Sequence, residues 1–453
     1  MGTLLMVILQ KLNPSNILYL FALLSCVLFF ALIKLCFLRY SCPVYLVDFS
    51  CLKPPSYCRV PFSTFLENAA EFQSFDPESL TFMAKVLSSS GQSEETYLPP
   101  ALHYIPPKTN RQDSIKEVHM ALFPIMDDLL TKTKLSPSDI DILIVNCSGF
   151  CPSPSLSSIL INKYSMRSDV KSFNLSGMGC SASALGIDLA QNLLRVHNNK
   201  DSYAIVLSTE ILSPGWYSGQ DRPKLLLNCI FRMGSAAILL TNKKEARKTS
   251  KYQVVRTLRT QRAFEDKAYL SAIREEDSRG NLGVTLRRDL LQVAGETLRS
   301  NVTDLGSSIL PFREKFRYGV SVVRKRFLEK SREDYVPDFK TVVQHFCLPT
   351  SGAPVIREIA KGLRLGERDM EPAFMTLHRF GNQSSSSLWY ELAYLEAKDR
   401  VKKGDMVWLL GMGSGPKCNS VILKCIRPIM VGESKKGPWA DCIHRYPIVS
   451  NIH

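Results

Sequence analysis

The sequence predicts a duplicated, layered α/β fold that follows an N-terminal membrane anchor. Short apolar runs rich in β-branched residues alternate with helical stretches, which is typical of buried strands and the helices that cover them. The alternation occurs twice along the 453 residues in sets of similar size, so we expect one large duplicated unit. A run of 17 uncharged, mostly apolar residues near the amino terminus indicates the anchor.

The anchor is predicted from Ile17–Ile33, which contains no charged residue. Its length is near the lower limit of about 17 to 25 residues for one transmembrane helix, and Lys34 can snorkel so that the span extends through Leu38. We therefore assign residues 1–40 to an anchor region with a span at about 17–38. A cleaved signal peptide is the alternative, but no small-x-small cleavage site follows, and the run exceeds the usual apolar core of about 7 to 15 residues.

Basic residues are more numerous after the apolar run than before it. Lys34, Arg39, Lys53 and Arg59 follow the run, whereas Lys11 and the amino terminus precede it. The positive-inside rule therefore predicts that the large C-terminal part of the chain faces the cytoplasm.

Residues 41–243 are predicted to form the first half of the duplicated unit. Its strands are short apolar runs at 141–146, 171–175, 202–208 and 236–242, and a helix is predicted at 181–197. The charged residues 244–284 that follow are expected to form a surface excursion or a hairpin.

Residues 285–427 are predicted to form the second half, followed by a C-terminal tail, 428–453. Its helices are predicted at 289–302, 353–363 and 387–401, and its strands at 340–348, 406–412 and 419–426. This half contains a basic insertion, 311–337, which we interpret as a solvated face. Contact of that insertion with anionic lipid or with a phosphate-bearing substrate is the alternative.

The composition argues against several classes of protein. The mean hydropathy of −0.03 does not fit a protein built mainly of membrane spans. The 57 Lys and Arg against 42 Asp and Glu give a net charge of +15, but no nucleic-acid-binding motif accompanies it. The 13 cysteines are odd in number and include no C-x-x-C pair, which disfavours a disulfide framework or a zinc site. We therefore expect mostly reduced thiols, and neither a metal nor a cofactor.

Cys180 is the candidate nucleophile. It lies in Phe173–Ala184 (FNLSGMGCSASA), where a strand ends, a glycine-containing turn follows and a helix of small residues begins. A cysteine at a helix N-terminus lies in the field of unpaired N–H groups, which lowers its pKa and raises its thiolate fraction. A buried structural cysteine is the alternative, and Cys147 and Cys151 are the nearest competitors.

Two further segments carry candidate site residues. His378 and Asn382 lie four residues apart before a helix and could direct donors into one pocket, although a lone His is more often structural. The four serines after Gln383 offer N-caps for that helix. The glycine loop 411–415 (GMGSG) connects two strands and could bring its backbone close to a ligand or to the nucleophile. It is not a dinucleotide-binding turn, because no helix opens after it.

Several segments together resemble the plant 3-ketoacyl-CoA synthases, the condensing enzymes of very-long-chain fatty acid elongation. They cover nearly the whole chain and read VYLVDFSC, EETYLPPA, DIDILIVNCSGFCPSPSLSS, KSFNLSGMGCSA, STEILSPGWY, NCIFRMGSAAILL, NVTDLGSSILP, QHFC, TLHRFGNQSSSSLWYELAYLEAK and GMGSGPKCNS. The resemblance implies a thiolase-like fold with a duplicated five-layer core and an endoplasmic-reticulum anchor. It also implies decarboxylative condensation of malonyl-CoA with a long-chain acyl-CoA, which yields 3-ketoacyl-CoA, CO2 and CoA.

The resemblance further implies roles for site residues. Cys180 would take the acyl group from CoA as a thioester, and Asn382 would pair with a His to polarise the enolate oxygen. The family's His lies in a His-Phe-Cys-x-His-Ala-Gly-Gly segment. This chain reads His345-Phe-Cys-Leu-Pro349, so a proline, which has no side-chain donor, occupies the catalytic position.

The chain departs from the family pattern at a second position, where Gln261 replaces another family His. Two functions are consistent with these departures. The first is an active or slow 3-ketoacyl-CoA synthase in which His345 or His378 supplies the missing donor. The second is a non-catalytic paralogue that binds acyl-CoA or pairs with active condensing enzymes and modulates them. A membrane-anchored thiol hydrolase is disfavoured, because the sequence shows no separate signal for the His and carboxylate of its triad. The expected partners are acyl-CoA and malonyl-CoA, the endoplasmic-reticulum membrane, a second copy or a related condensing enzyme, and other elongase subunits, but no nucleic acid.

Overall fold

The structure is a computed structural model that describes residues 42–197, 200–327, 335–430, 432 and 437–448, together with residues 25, 26 and 29. Apart from those three residues, the predicted anchor span, 17–38, lies outside the described residues. Within the described residues, no helix is long and apolar enough to cross a membrane. The chain divides into two units, Met1–Pro43 and Val44–His453, and every element named below belongs to the second.

Strands and helices alternate along this second unit. The strands in its described residues are β1 (Val44–Cys51), β2 (Ile142–Asn146), β3 (Lys171–Leu175), β4 (Tyr203–Thr209), β5 (Ser235–Thr241), β6 (Tyr252–Gln261), β7 (Ala272–Glu276), β8 (Leu282–Leu286), β9 (His345–Cys347), β10 (Met406–Gly413) and β11 (Lys417–Cys425). The helices there are α1 (Phe62–Glu71), α2 (Pro77–Ser89), α3 (Arg111–Thr133), α4 (Leu156–Tyr164), α5 (Ala182–Val196), α6 (Arg222–Ile230), α7 (Asp266–Tyr269), α8 (Leu290–Ile309), α9 (Phe312–Phe327), α10 (Ala353–Leu363), α11 (Glu367–Phe380) and α12 (Ser387–Ala397).

The predicted duplication is visible in the main sheet. Its nine strands follow the order β3-β2-β4-β5-β1-β6-β11-β10-β9. In the first half, β2 and β4 are parallel, whereas β4 with β5 and β5 with β1 are antiparallel. The second half repeats this pattern, since β9 and β10 are parallel, whereas β10 with β11 and β11 with β6 are antiparallel. The antiparallel pair β1 and β6 joins the two halves.

The interpretation of residues 244–284 as a surface excursion or hairpin is wrong for part of that range. The strand β6 lies within it and pairs with β1 and β11 in the sheet. Val254 is buried, whereas the nearby Arg256 and Arg259 are exposed, so charged residues interrupt the apolar pattern of a buried strand. The rest of the range contains β7 and the start of β8, which do form an antiparallel hairpin.

The helix α5 lies between the two halves of the sheet. It packs against β2 and β4 of the first half and against β10 and β11 of the second. Ala182 and Ala184 are buried, and a Cβ added to Gly186 would lie 2.7 Å from Cγ1 of Val206. The small residues of this helix therefore permit the close packing that the sequence indicated.

A buried ion cluster links β1, the start of β6 and α12. Lys251 Nζ lies 2.8 Å from Asp48 Oδ1 and 2.9 Å from Glu396 Oε2, and the Tyr252 hydroxyl donates to Glu396 Oε1 over 2.8 Å. Burial lowers the pKa of Lys251, but the two carboxylates outweigh it and hold that pKa above its usual value. The cluster therefore keeps its charges paired where the halves join.

Replacing Lys251 with Met should destabilise this junction, because it leaves two carboxylates without their cation. Removing one partner of a buried ion pair typically costs about 3–5 kcal/mol. We expect a loss of this size for Lys251→Met in the free energy of unfolding, measured by urea titration. Lys402→Met is the matched control, since Lys402 forms a solvent-exposed pair with Asp399. Equal stability of the two variants would contradict the assignment.

Candidate active site

Three loops that leave parallel strands meet at one edge of the sheet. β3, β2 and β4 are adjacent and parallel, so their carboxyl ends lie side by side. The loop after β3 carries Cys180, the loop after β2 carries Ser148 and Gly149, and Glu210 directly follows β4. This edge therefore collects a thiol, two backbone N–H groups and a carboxyl group.

Cys180 lies in a 3-10 turn, Gly179–Ser181, immediately before α5. Gly179 has a φ of +60°, and a Cβ on it would lie 2.4 Å from the backbone nitrogen of Ser414. A Cβ on Gly413 would lie 2.5 Å from the carbonyl oxygen of Met178. Both positions therefore require glycine, and the prediction that the loop 411–415 brings its backbone to the nucleophile is confirmed.

Ser384 joins the thiol to the carboxyl group. Its Oγ lies 3.3 Å from Cys180 Sγ and 3.3 Å from Glu210 Oε2. A hydroxyl can donate one hydrogen bond while it accepts another, so Ser384 can connect the two groups. Ser384 adopts a φ of +58°, which is uncommon for a residue other than glycine. Its N–H donates to Asn382 Oδ1 over 2.8 Å, which holds this conformation.

Glu210 is anchored from its other side by backbone donors. Its Oε1 accepts from the N–H of Gly149 over 2.6 Å and from that of Ser148 over 3.1 Å, and Cys147 Sγ lies 3.6 Å from the same oxygen. Burial raises the pKa of Glu210, although these donors and Ser384 oppose the shift. Glu210 is thus a carboxyl group whose proton affinity exceeds that of an ordinary glutamate.

Asn382 lies directly beside this group. Its backbone oxygen accepts from Arg232 N–H over 2.8 Å, and the Thr350 hydroxyl lies 3.5 Å from Asn382 Oδ1. Within the described residues, the hydrogen bonds of the Asn382 side chain all go to Oδ1. The amide nitrogen is therefore the part of this side chain that can donate to a ligand.

The prediction that the serine run caps α12 is wrong. No side-chain hydrogen bond caps that helix. Ser385 Oγ instead accepts from Asn146 Nδ2 over 2.9 Å, and Ser386 Oγ donates to the backbone oxygen of Ser208 over 2.8 Å. Trp389 Nε1 also donates to Ser183 Oγ over 2.6 Å, which links α12 to α5. The serines therefore fasten the second half to the strand ends of the first.

The thiol of Cys180 does not have the lowered pKa that its position before a helix predicted. Burial is the largest effect and raises the pKa of Cys180 to about 11, helped by the charge of Glu210. The hydrogen bond from Ser384 acts in the opposite direction. Desolvation therefore outweighs the field of the helix N-terminus, and the thiol needs a proton acceptor before it can react at neutral pH.

Comparison with known proteins identifies the family. Residues 36–327 match the model described as FAE1/Type III polyketide synthase-like protein, and residues 340–425 match that of the 3-oxoacyl-[acyl-carrier-protein] synthase III C terminal. The chain is 49% identical over 405 residues to 3-ketoacyl-CoA synthase 6 of Arabidopsis thaliana, which covers 89% of this chain and 81% of that protein. The chain belongs to the 3-ketoacyl-CoA synthase family. Similarity to 3-ketoacyl-CoA synthase 5 of the same plant is equal in identity and covers 82% of that protein.

Solved structures support the fold of this 3-ketoacyl-CoA synthase family member. A fungal type III polyketide synthase matches 84% of the chain and 99% of its own length with a TM-score of 0.67 at 15% identity. A type III pentaketide synthase from Neurospora crassa covers the same shares with a TM-score of 0.62 at 14% identity. These similarities show the thiolase-like fold that the sequence implied.

Pro349 lies next to the site, where a catalytic His was expected from the 3-ketoacyl-CoA synthase resemblance. It follows β9 and is buried. The next residue, Thr350, reaches both Asn382 Oδ1 and the hydroxyl of Ser387, which lies 2.7 Å away. Pro349 thus directly precedes a residue that contacts Asn382, and its ring offers no proton donor or acceptor.

The structure does not bring either candidate replacement His to Cys180. His345 Nε2 contacts Asp405 Oδ2 at 2.9 Å, at the start of β9. His378 Nδ1 contacts the Tyr446 hydroxyl at 3.1 Å, near the end of α11. Burial lowers the pKa of both imidazoles.

These contacts assign His345 and His378 to packing rather than to the thiol. Gln261, where the family has a second His, is exposed at the end of β6 and pairs with Lys417. In the described residues, the groups that contact the thiol side chain of Cys180 therefore do not include an imidazole. The structure connects Asn382 to Cys180 through Ser384, which bonds to both. The sequence did not single out Ser384 or Glu210 as site residues.

Alkylation of Cys180 by iodoacetamide should report its raised pKa. An acid with a raised pKa ionises at higher pH, so the rate should climb as the pH rises towards 11. At pH 7 it should stay well below the rate at the exposed Cys151. Ser384→Ala removes a donor to the thiolate and should slow alkylation by about tenfold, equivalent to one pKa unit.

Peptide mass spectrometry can measure both cysteines in one sample. Ser386→Ala is the matched control, because that serine bonds to Ser208 rather than to Cys180. Equal labelling of Cys180 and Cys151 at pH 7 would show that the thiol is not desolvated.

Proposed function

We propose that this chain catalyses the decarboxylative condensation of malonyl-CoA with a long-chain acyl-CoA, giving 3-ketoacyl-CoA, CO2 and CoA. The observation that carries the proposal is the assembly of Cys180, Ser384, Glu210 and Asn382 at the edge where the two halves meet. Family membership supports the same conclusion, since relatives that share 45–49% identity with most of the chain are named 3-ketoacyl-CoA synthases.

The reaction requires one nucleophile and one stabilised enolate. Cys180 Sγ attacks the acyl-CoA carbonyl and holds the acyl group as a thioester. The bond between the malonyl carboxylate and its α-carbon then breaks, CO2 leaves, and the electron pair forms an enolate. The amide N–H2 of Asn382 is the donor available to that enolate oxygen. The enolate attacks the thioester carbonyl, and Cys180 leaves as a thiolate that takes one proton from solvent.

Ser384 and Glu210 take the place of the missing imidazole in this proposal. During acylation, the Cys180 proton passes to Ser384 Oγ while the Ser384 proton passes to Glu210 Oε2. The departing CoA sulfur then takes the proton from Glu210, so the carboxylate is restored and CoA leaves as a thiol. The 3.3 Å separations of Ser384 Oγ from both groups support this route.

The charges of the site also fit this route. A carboxylate and a thiolate within one half-buried cluster would repel each other, and Glu210 does raise the pKa of Cys180. Transfer of the proton to Glu210 avoids the repulsion, because the cluster then carries a single negative charge. The raised pKa of Glu210 makes it a better acceptor than an ordinary glutamate.

We also propose the setting of the enzyme. The uncharged run Ile17–Ile33 supports an anchor in the endoplasmic-reticulum membrane, with the catalytic unit facing the cytoplasm. Family resemblance supports the five-layer arrangement, pairing with a second copy or a related condensing enzyme, and assembly with other elongase subunits. A paralogue that only binds and modulates active enzymes is the alternative, and the Cys180 cluster favours catalysis over it.

A microsomal elongation assay with malonyl-CoA and long-chain acyl-CoA tests the proposed reaction. We expect the wild type to form 3-ketoacyl-CoA and Cys180→Ala to lose all product, because the thioester cannot form. Pro349→His should raise the rate, since a missing donor or base typically costs about 10²- to 10³-fold. A silent wild type that Pro349→His activates would instead support the modulating paralogue.

Replacing Glu210 with Gln separates proton transfer from simple electrostatics. Loss of the carboxylate charge alone would lower the pKa of Cys180 and speed acylation. Loss of a proton acceptor should slow it, by about 10²-fold or more for a general base. We expect the slower rate, measured as stoichiometric CoA release in a single turnover between pH 6 and pH 9.

Glu117→Gln is the matched control, because Glu117 is buried and, like Glu210, accepts from backbone N–H groups, in its case those of Leu212 and Ser213. An unchanged or faster rate in Glu210→Gln would exclude Glu210 as the acceptor.

A further inference from the structure

An ordinary surface helix packs its apolar side against the protein, whereas α9 exposes apolar side chains and turns polar ones towards the protein. Phe312, Phe316, Val320 and Val323 recur at helical spacing and form one stripe. Their side chains are 81%, 61%, 47% and 57% exposed, respectively. The two phenylalanine rings stack on each other with centroids 6.1 Å apart. We refer to these four side chains as the apolar stripe.

The opposite side of α9 carries the polar residues that face the protein. Glu314 is buried, and its Oε2 accepts from the Tyr335 hydroxyl over 2.6 Å and from the Asp338 N–H over 3.1 Å. Ser321 lies two turns further on and accepts from the Tyr335 N–H over 3.0 Å. These hydrogen bonds fix the rotation of the helix, so the apolar stripe is held outward.

Basic residues border the apolar stripe on both sides. Arg313, Arg317 and Arg324 share one flank by helical spacing, and Lys315 lies on the other. The three arginines are exposed. The acidic residue of α9, Glu314, is turned inward, and its Oε1 lies 3.4 Å from Nη1 of Arg317. The outward surface therefore combines exposed aromatic and aliphatic side chains with positive charge, which is the pattern of helices that lie in a membrane interface.

We propose that α9 lies flat on an anionic lipid bilayer, with the apolar stripe inserted among the headgroups and the arginines paired with lipid phosphates or carboxylates. This contact is additional to any anchor near the amino terminus and does not depend on the proposed condensation. It holds the unit that contains the Cys180 site close to a bilayer surface.

Charge complementarity favours lipid over two protein partners. A second copy of the chain would bring the same arginine flank against itself in a symmetric contact, and like charges would meet. Residues 1–41 of this chain include no Asp or Glu, so they supply apolar surface but no partner for the arginines. Anionic lipid supplies both an apolar layer and negative charge.

The test uses full-length protein reconstituted into vesicles and one added tryptophan on the stripe, Phe316→Trp. Three of the four native tryptophans, Trp389, Trp408 and Trp439, are fully buried, so the difference from the wild type isolates the new side chain. The vesicles contain brominated phosphatidylcholine with or without phosphatidylserine. Because the stripe should reach about 5–10 Å into the headgroup and acyl boundary, we expect about twofold quenching and a blue shift with phosphatidylserine.

Two further variants sharpen the experiment. Phe264→Trp places the same probe at a 78% exposed phenylalanine outside α9 and should not be quenched. Combined Arg313→Gln, Arg317→Gln and Arg324→Gln substitutions in the Phe316→Trp background should abolish the effect of phosphatidylserine. Thermal unfolding checks that each variant is folded.

Three results would overturn the proposal. In the first, acrylamide quenches the fluorescence of the added tryptophan in Phe316→Trp, whereas brominated lipid in anionic vesicles does not. This result would show that the apolar stripe does not reach lipid. In the second, the tryptophan is shielded from acrylamide in a way that depends on protein concentration but not on brominated lipid. This result would show that the apolar stripe contacts a second copy of the chain. Shielding that is independent of both lipid charge and protein concentration would assign it to a segment of the same chain.

Discussion

The antiparallel pairing of β1 with β6 is the constraint on which the rest of the structure depends. It aligns Val44 with Val254 and Leu46 with Tyr252, and so continues the sheet of the first half into that of the second. The two halves share one pattern of strands. The helices α5 and α12 therefore occupy corresponding places in the two halves, and both begin near the same edge of the sheet. The nucleophile comes from the start of one helix, and Asn382 and Ser384 come from just before the other.

Much of the fold follows from apolar periodicity, but β6 does not. The predicted range of α10 agrees with the structure because its apolar residues recur at helical spacing. That of β3 agrees as well, although its residues are exposed or half-buried. β6 alternates apolar residues with arginines inside a charged stretch, so its composition suggested surface. Its position beside β1 depends on pairing with a strand about 200 residues earlier, and local sequence carries no record of that pairing.

The candidate site shows the same division between local and tertiary information. Cys180 was recognisable because a strand, a glycine turn and a helix follow one another in sequence. The sequence signal for Glu210 was weaker. Glu210 follows a buried strand, and the carboxyl ends of parallel neighbouring strands lie at the same edge of the sheet. Ser384 had none, since a serine before a helix reads as a cap, and only its positive φ turns its hydroxyl towards Cys180. The apolar stripe of α9 likewise lies among basic residues in the sequence, and the inward direction of Glu314 shows which side of the helix faces out.

We propose that Cys180 forms the acyl thioester although a proline stands where an imidazole was expected. Peptide mass spectrometry of the wild-type protein, after incubation with a long-chain acyl-CoA and no malonyl-CoA, tests this step directly. We expect one acyl group per chain, attached to the peptide that contains Cys180 and released by hydroxylamine. Absence of that adduct, or an acyl group on Cys147 or Cys151 instead, would contradict it.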